Sequence, residues 1–269
     1  MSFAPVIPIS GYAGWVFLKR TMDKQTEAFN KQTVFQREEA YFRDNIKQIR
    51  TADALVDDPR LLRIALTAYG LEADMPNKFF IRKVLEEGTL KTDSLANKLA
   101  DSRYKEFTNA FGFGNFSVPR TQLSDFADKM LAKYRDQRFQ EAVGEQNGDM
   151  RLALNAEVEL AHLAGSSSSD ASKWFSVLGS PRLREVFEKA FGLPSGFATI
   201  DIDKQVEMIK EKAKASFGES TVAQFTDSEK MQKLVRNFLI RSEVLASSSG
   251  LQSGQIALSL LQQISYQRF

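Results

Sequence analysis

The sequence predicts an all-α protein, a multi-helix chain with an internal duplication into two related helical units. Convincing strand patterns are almost absent, and one phrase is written twice. S-P-R-L-R-E-V-F-E-K-A-F-G-L at 180–193 repeats D-P-R-L-L-R-I-A-L-T-A-Y-G-L at 58–71, 122 positions earlier. A period this long, in two copies, is not typical of a solenoid.

Each copy of the phrase reads as one complete helix. Asp58 and Ser180 are suited to accept hydrogen bonds from the first-turn amides, and a proline follows each of them at the first helical position. Gly70 and Gly192 stand where a left-handed helix end favours glycine. The apolar residues recur at the spacing of one buried stripe, at Leu61, Ile64, Ala65, Ala68 and Tyr69 and at Leu183, Val186, Phe187, Ala190 and Phe191.

A weaker helical pattern follows each strong phrase, one from Asp101-Ser102 to Gly112 and one from Asp227-Ser228 to Phe238. The order strong, weak, strong, weak favours duplication over chance resemblance between amphipathic helices. We therefore predict a first unit at 1–120, a second unit at 121–250 and a C-terminal tail helix at 251–269.

The remaining segments also read as helices joined by turns. We expect one or two helices over 12–50, one over 79–90, and a long one from 121 toward 143. The run 152–160 alternates like a strand, but its Ala, Leu and Glu content favours helix. A charged surface helix is predicted over 203–215, and Ser247-Ser-Ser-Gly250 is interpreted as a hinge before the tail.

Composition excludes several classes of function. The chain has 269 residues, a net charge of +2 and no cysteine, so we expect no nucleic-acid partner, no disulfide and no thiolate metal site. No apolar run approaches the ~20 residues that span a membrane, and residues 1–18 lack a basic start and a cleavage site. We predict a cytoplasmic protein; association with the flagellum, or export without cleavage, stays open.

Few residues in the chain could do chemistry. His162 is the single histidine and has no second imidazole or thiol to complete a metal site. Gly112-Phe-Gly114 follows a predicted helix where a dinucleotide loop would follow a strand, so we interpret it as a helix end. Trp15 and Trp174 are interpreted as core residues. The sequence therefore predicts no catalytic residue, no metal and no cofactor.

Arg60 and Arg182 occupy the same place in the two phrases. Such a pair could bind an anion or anchor a partner, although pairing with nearby carboxylates is the simpler interpretation. Together with His162, they are the first candidates for a ligand site in a cleft between the two units.

Both ends of the chain lack charge, at 1–18 and between Glu243 and Arg268. In the tail, the apolar stripe Ile256, Leu260, Leu261 and Ile264 is opposed by Ser and Gln, where a solvated helix would normally carry Lys and Glu. The stripe is a candidate partner-binding face; docking onto its own chain is the equal alternative.

Several phrases resemble a family of bacterial proteins catalogued as a domain of unknown function. They include G-Y-A-G-W-x-F-L-K-R-T, N-K-F-F-I-R-K-V-L-E-E-G-T, D-S-L-A-N-K-L-A-D-x-R-Y, A-F-G-F-G and S-K-W-F-S-V-L-G-S-P. The resemblance implies a helical fold and genes that lie among flagellar genes in alphaproteobacteria. It carries no catalytic residues.

These observations support two hypotheses of function. The first is a non-enzymatic protein-interaction or assembly factor associated with the bacterial flagellum, with flagellar components as partners. The alternative is a small-ligand binder or enzyme that uses a cleft between the two helical units.

Overall fold

The computed structural model describes residues 3–99 and 101–266, and from residue 248 onward it describes the backbone alone. This part of the chain is all-helical, as predicted, and contains no strand. Its thirteen α-helices are α1 (Gly11–Asn30), α2 (Thr33–Asn45), α3 (Ala52–Asp57), α4 (Pro59–Thr67), α5 (Lys78–Glu87), α6 (Leu95–Lys98), α7 (Ser102–Phe111), α8 (Phe126–Gln146), α9 (Gly148–Gly165), α10 (Asp170–Gly179), α11 (Pro181–Phe191), α12 (Ile202–Phe217) and α13 (Ser228–Tyr266).

The two copies of the repeated phrase form α4 and α11, and both begin at the predicted caps. A carboxylate oxygen of Asp58 accepts from the backbone N–H groups of Arg60 and Leu61 at 2.9 and 3.0 Å. The hydroxyl of Ser180 accepts from the Leu183 N–H at 3.4 Å. These bonds satisfy amides that have no partner inside the helix.

The two helices also end in the same way. Gly70 and Gly192 have φ values of 64° and 61°, a conformation that a side chain disfavours. The N–H of the residue after each glycine, Leu71 or Leu193, donates to the carbonyl five residues earlier at 2.9 Å. This is the Schellman arrangement, and it closes the free carbonyls of the last turn. All ten predicted stripe residues are buried.

The buried apolar residues form two clusters. The members of the first cluster fall between residues 42 and 134 of the sequence, and the cluster is built around α4 and α7. The other is built around α9, α11 and α13, and it also contains Trp15 and Leu18 of α1 and Trp174 of α10. The N-terminal helix therefore packs with the C-terminal half of the chain, and both tryptophans are core residues as predicted.

Helix α8 belongs to both clusters. Met130 and Tyr134 lie in the first, and Phe139 and Val143 in the second. Met130 and Phe139 are nine residues apart, as are Tyr134 and Val143, and nine residues at about 100° each place side chains on opposite faces of a helix. One continuous helix thus packs against both apolar cores.

Three sequence-based boundaries were wrong. The long helix predicted from residue 121 begins at Phe126, because the Thr121 hydroxyl donates to the Ile49 carbonyl and holds that segment in a short 3₁₀ turn. The helix that begins at Ser228 continues past its predicted end near Phe238. It also runs through 247–250, where we expected a hinge, since serine and a single glycine weaken a helix without terminating it.

Candidate functional site

A small cleft lies where α4, α7 and α8 meet α9 and α11. Its volume is about 160 Å³, and we call it the central cleft. Two arginines and three neutral or acidic side chains supply its main polar atoms, namely Arg103, Arg182, Gln137, Asn155 and Glu159.

The two arginines approach each other at Gly70. The Arg103 guanidinium donates to the Asp101 carboxylate at 3.0 Å and also to the Gly70 carbonyl. A β-carbon at Gly70 would lie 3.0 Å from Nη1 of Arg182 and 3.3 Å from Nη1 of Arg103. The glycine that ends α4 therefore also leaves room for two guanidinium groups.

Arg182 has no direct partner in the part of the chain that the structure describes. Within the described residues, no hydrogen bond or ion pair joins its guanidinium to a protein group, although its side chain is mostly buried. Burial lowers the pKa of Arg182, and the positive charges of Arg103 and Arg151 lower this pKa further. The negative charges of Glu72 and Glu159 oppose this shift. An anion in direct contact with the guanidinium would stabilise its charged form further.

Three acceptor atoms in the same cleft also lack partners. The buried oxygens Oε1 of Gln137, Oδ1 of Asn155 and Oε2 of Glu159 receive no hydrogen bond from the described residues. Asn155 is the most enclosed of the three residues, with 6% of its surface exposed. Burial raises the pKa of Glu159. The cleft thus combines a guanidinium that makes no hydrogen bond or ion pair with the described residues and three oxygens that receive no hydrogen bond from them.

The three residues that the sequence proposed for a cleft separate into two places. Arg182 lines the central cleft, and His162 lies at its exposed rim, with Nδ1 3.9 Å from Oε1 of Glu106. Arg60 is exposed and stacks on the ring of Tyr41, with its guanidinium carbon 3.5 Å from the ring centroid. The structure therefore brings Arg182 and His162 to one cleft and leaves Arg60 outside it.

A second cluster of charges lies beside the cleft. A terminal nitrogen of Arg151 is 3.6 Å from Oε1 of Glu72 and 3.9 Å from Oε1 of Glu141. Burial raises the pKa of Glu141 to about 7, and the nearby charge of Glu72 adds to the increase. The cluster joins the segment after α4 to α8 and α9.

On another face, α13 leaves the core. Among the α13 residues whose side chains the structure describes, Ser242 is the last that is buried, and Val244 has 62% of its surface exposed. Beside it lies an open groove of about 620 Å³, lined in part by Leu193, Pro194 and Val244. The helix nevertheless continues to Tyr266.

The predicted partner-binding residues lie further along this helix. The side chains of Ile256, Leu260, Leu261 and Ile264 lie outside the described ones, so the predicted stripe stays a prediction. In the part of the chain that is described, no cluster of His, Cys, Asp or Glu could hold a metal ion. The described helices include none that is long and apolar enough to cross a bilayer.

Sequence reasoning missed most of the central cleft. Arg103 falls in the weaker helical pattern that begins at Asp101-Ser102, and Glu159 in the run 152–160, and neither was a candidate site residue. One signal was present at Asn155, because an amide in the middle of the apolar run A-L-N-A-E-V-E-L is a polar group on a largely buried helix. A buried amide needs hydrogen-bond partners, which marks the position as a candidate site.

Comparisons with known proteins identify relatives. The model of a family described as "Protein of unknown function (DUF1217)" matches residues 68–231. A protein of Agrobacterium tumefaciens with a solved X-ray structure is 28% identical, with a TM-score of 0.73, over 89% of this chain and 98% of that one. No protein with a curated description matches.

Proposed function

The chain belongs to the DUF1217 family, and we propose that it is a non-enzymatic factor that binds another protein through the C-terminal part of α13. The observation that carries this proposal is the length of α13. The helix extends from Ser242, the last buried residue among its described side chains, to Tyr266, a distance of about 36 Å at 1.5 Å per residue. A long helix beyond the core needs a surface against which its apolar residues can be buried.

The composition of this segment supports a protein partner. It carries no charge between Glu243 and Arg268, while its apolar residues recur at helical spacing. The groove beside Val244 offers a partner further apolar surface next to the point where α13 leaves the core. Helices with one apolar face are commonly bound in this way.

The partner that we propose is a flagellar component. This part of the proposal is supported by the resemblance of the quoted phrases to a family whose genes lie among flagellar genes. Deleting the gene should then change flagellar number, assembly or swimming. Normal flagella and normal swimming in the deletion strain would contradict a flagellar role.

Truncation after Ser247 tests the binding segment. Because the described core ends at Ser242 on α13, the truncated chain should keep its free energy of unfolding while losing capture of flagellar components from native cells. A sharp fall in stability would instead mean that the tail docks onto its own chain.

A matched pair of double substitutions separates the apolar face from helix length. Ile256→Gln with Leu260→Gln should abolish capture, whereas Gln255→Ala with Gln262→Ala, on the polar side of the sequence pattern, should leave it intact. Equal capture by both variants would contradict the proposed binding face.

A further inference from the structure

The central cleft offers a complementary set of groups to a small polar molecule. Its volume of about 160 Å³ is close to that of engineered cavities which admit a molecule the size of benzene. Arg182 provides a guanidinium that makes no hydrogen bond or ion pair with the described residues, and Arg103, already neutralised by Asp101, lies next to it at Gly70. The positive end of the cleft is therefore fixed by Arg182.

The rest of the central cleft presents hydrogen-bond acceptors that lack donors among the described residues. Asn155, Gln137 and Glu159 each present a buried oxygen that no described group satisfies. An orphaned buried acceptor destabilises a protein. Buried polar groups in native structures nearly always have a protein group or an ordered water as partner, so three orphaned oxygens in one cleft need an explanation, and a bound molecule with donors is one. A ligand that offers only negative charge would satisfy Arg182 and leave these oxygens without donors.

We propose that the central cleft binds a small carboxylate that bears a hydrogen-bond donor on the adjacent carbon, that is, an α-hydroxy or α-amino acid. The carboxylate accepts from the guanidinium of Arg182, and the hydroxyl or ammonium group donates to the oxygens of Asn155 and Glu159. This inference is independent of the proposed partner of α13, since the central cleft shares no residue with α13 or with the groove beside Val244.

Three probes of nearly equal size test the ligand class on the full chain. L-lactate, L-alanine and propionate share a three-carbon carboxylate and differ in the group on the second carbon, which is hydroxyl, ammonium or hydrogen. By calorimetric or NMR titration, L-lactate or L-alanine should bind saturably, and propionate about tenfold more weakly or worse, because it leaves the acceptors unsatisfied. Inorganic phosphate should bind more weakly than the better of the two.

Substitutions then test whether the carboxylate probes bind in the central cleft. Arg182→Met removes the charge and should weaken binding of the better probe about tenfold or more. Arg60→Met is the matched control, at the same position of the other phrase but outside the cleft, and it should leave the affinity unchanged. If Arg182→Met fails to fold, Asn155→Leu serves instead: it removes an unsatisfied oxygen, so it should weaken binding while the protein stays folded.

Several results would overturn the proposal. They are the absence of saturable binding by all three carboxylates, equal affinity for propionate and for the better of L-lactate and L-alanine, phosphate as the tightest probe, and equal losses in Arg182→Met and Arg60→Met. Because none of these measurements involves the segment after Ser247, failure here leaves the proposed function of α13 untouched.

Discussion

Helices α4 and α11 share their starts, their ends and their buried positions, yet they are packed differently. Phe187 of α11 meets the rings of Trp174 and Phe225 edge-on, with centroids 5.6 Å apart in each pair. At the equivalent position α4 has Ala65, also fully buried. The capping residues and the apolar spacing determine where each helix begins and ends and which face is buried. The size of each buried side chain depends instead on the surrounding core, which differs between the two helices.

The largest expected effect concerns this difference in filling. Phe187→Ala removes a fully buried ring that three aromatic neighbours contact. The cavity should lower the free energy of unfolding by about 3–5 kcal/mol, as measured by denaturant titration.

Ala65→Ser is the control in the other helix. It adds one oxygen at a buried site and should cost about 1–2 kcal/mol. Small and equal losses in both variants would show that the alignment of the two phrases is wrong.

The glycines at the two helix ends should differ in function more than in stability. Gly70→Ala and Gly192→Ala each force a β-carbon into positive φ, which costs about 1–2 kcal/mol. At Gly192 the new methyl group meets the Arg241 side chain, while at Gly70 it meets Arg182 and Arg103. Only Gly70→Ala should therefore weaken carboxylate binding. Equal affinity in the two variants would show that Gly70 does not influence binding in the central cleft.

The caps should differ by a smaller amount. Asp58 accepts from two backbone amides and also from the Tyr41 hydroxyl at 2.7 Å, whereas Ser180 accepts from one amide at 3.4 Å. We expect Asp58→Ala to cost about 1–2 kcal/mol and Ser180→Ala about 0.5–1 kcal/mol in thermal or denaturant unfolding. The reverse order would mean that the number of cap bonds does not set the cost.

Local features of the fold were predictable, and distant contacts were not. The caps at Asp58 and Ser180, the glycine ends and the buried stripes all depend on residues within one helix. The packing of α1 against the C-terminal core depends on residues far apart in the sequence. The identity of Trp15 indicates that it is buried but not which apolar surface it contacts. The duplication of the chain and the boundary near residue 120 stay predictions.

The candidate site shows the same limit. Arg182 was predictable as a candidate because its helix repeats Arg60, but the cleft depends on Arg103 and Asn155, which reach it from two other helices. Helix α8 is a further example: it buries one face in the first apolar cluster and the opposite face in the second, and this change can be interpreted only when both clusters are known. Sequence patterns report what each helix buries; they do not report which helices meet.

The segments after the two glycine ends differ in charge, and pH should reveal the difference. After α4 comes Glu72, which faces Glu141 and Arg151, whereas the equivalent position after α11 is Pro194. Burial and the nearby charge of Glu72 together raise the pKa of Glu141 to about 7, against the opposing charges of Arg151 and Arg138. An unfolded glutamate has a pKa near 4.3.

The carboxyl group of Glu141 therefore binds its proton more tightly in the folded protein than in the unfolded chain. The stabilisation is complete below pH about 4.3 and is lost as pH rises through about 7. Glu141→Gln cannot ionise, so its free energy of unfolding should decline less than that of the wild type between pH 5 and 8, by on the order of 1 kcal/mol after allowance for solvent screening. Glu145→Gln, at an exposed position of the same helix, should follow the wild-type curve. If the Glu141→Gln curve also runs parallel to the wild type, the charge cluster after α4 does not set the pH dependence, and the difference between the two helix ends is one of shape alone.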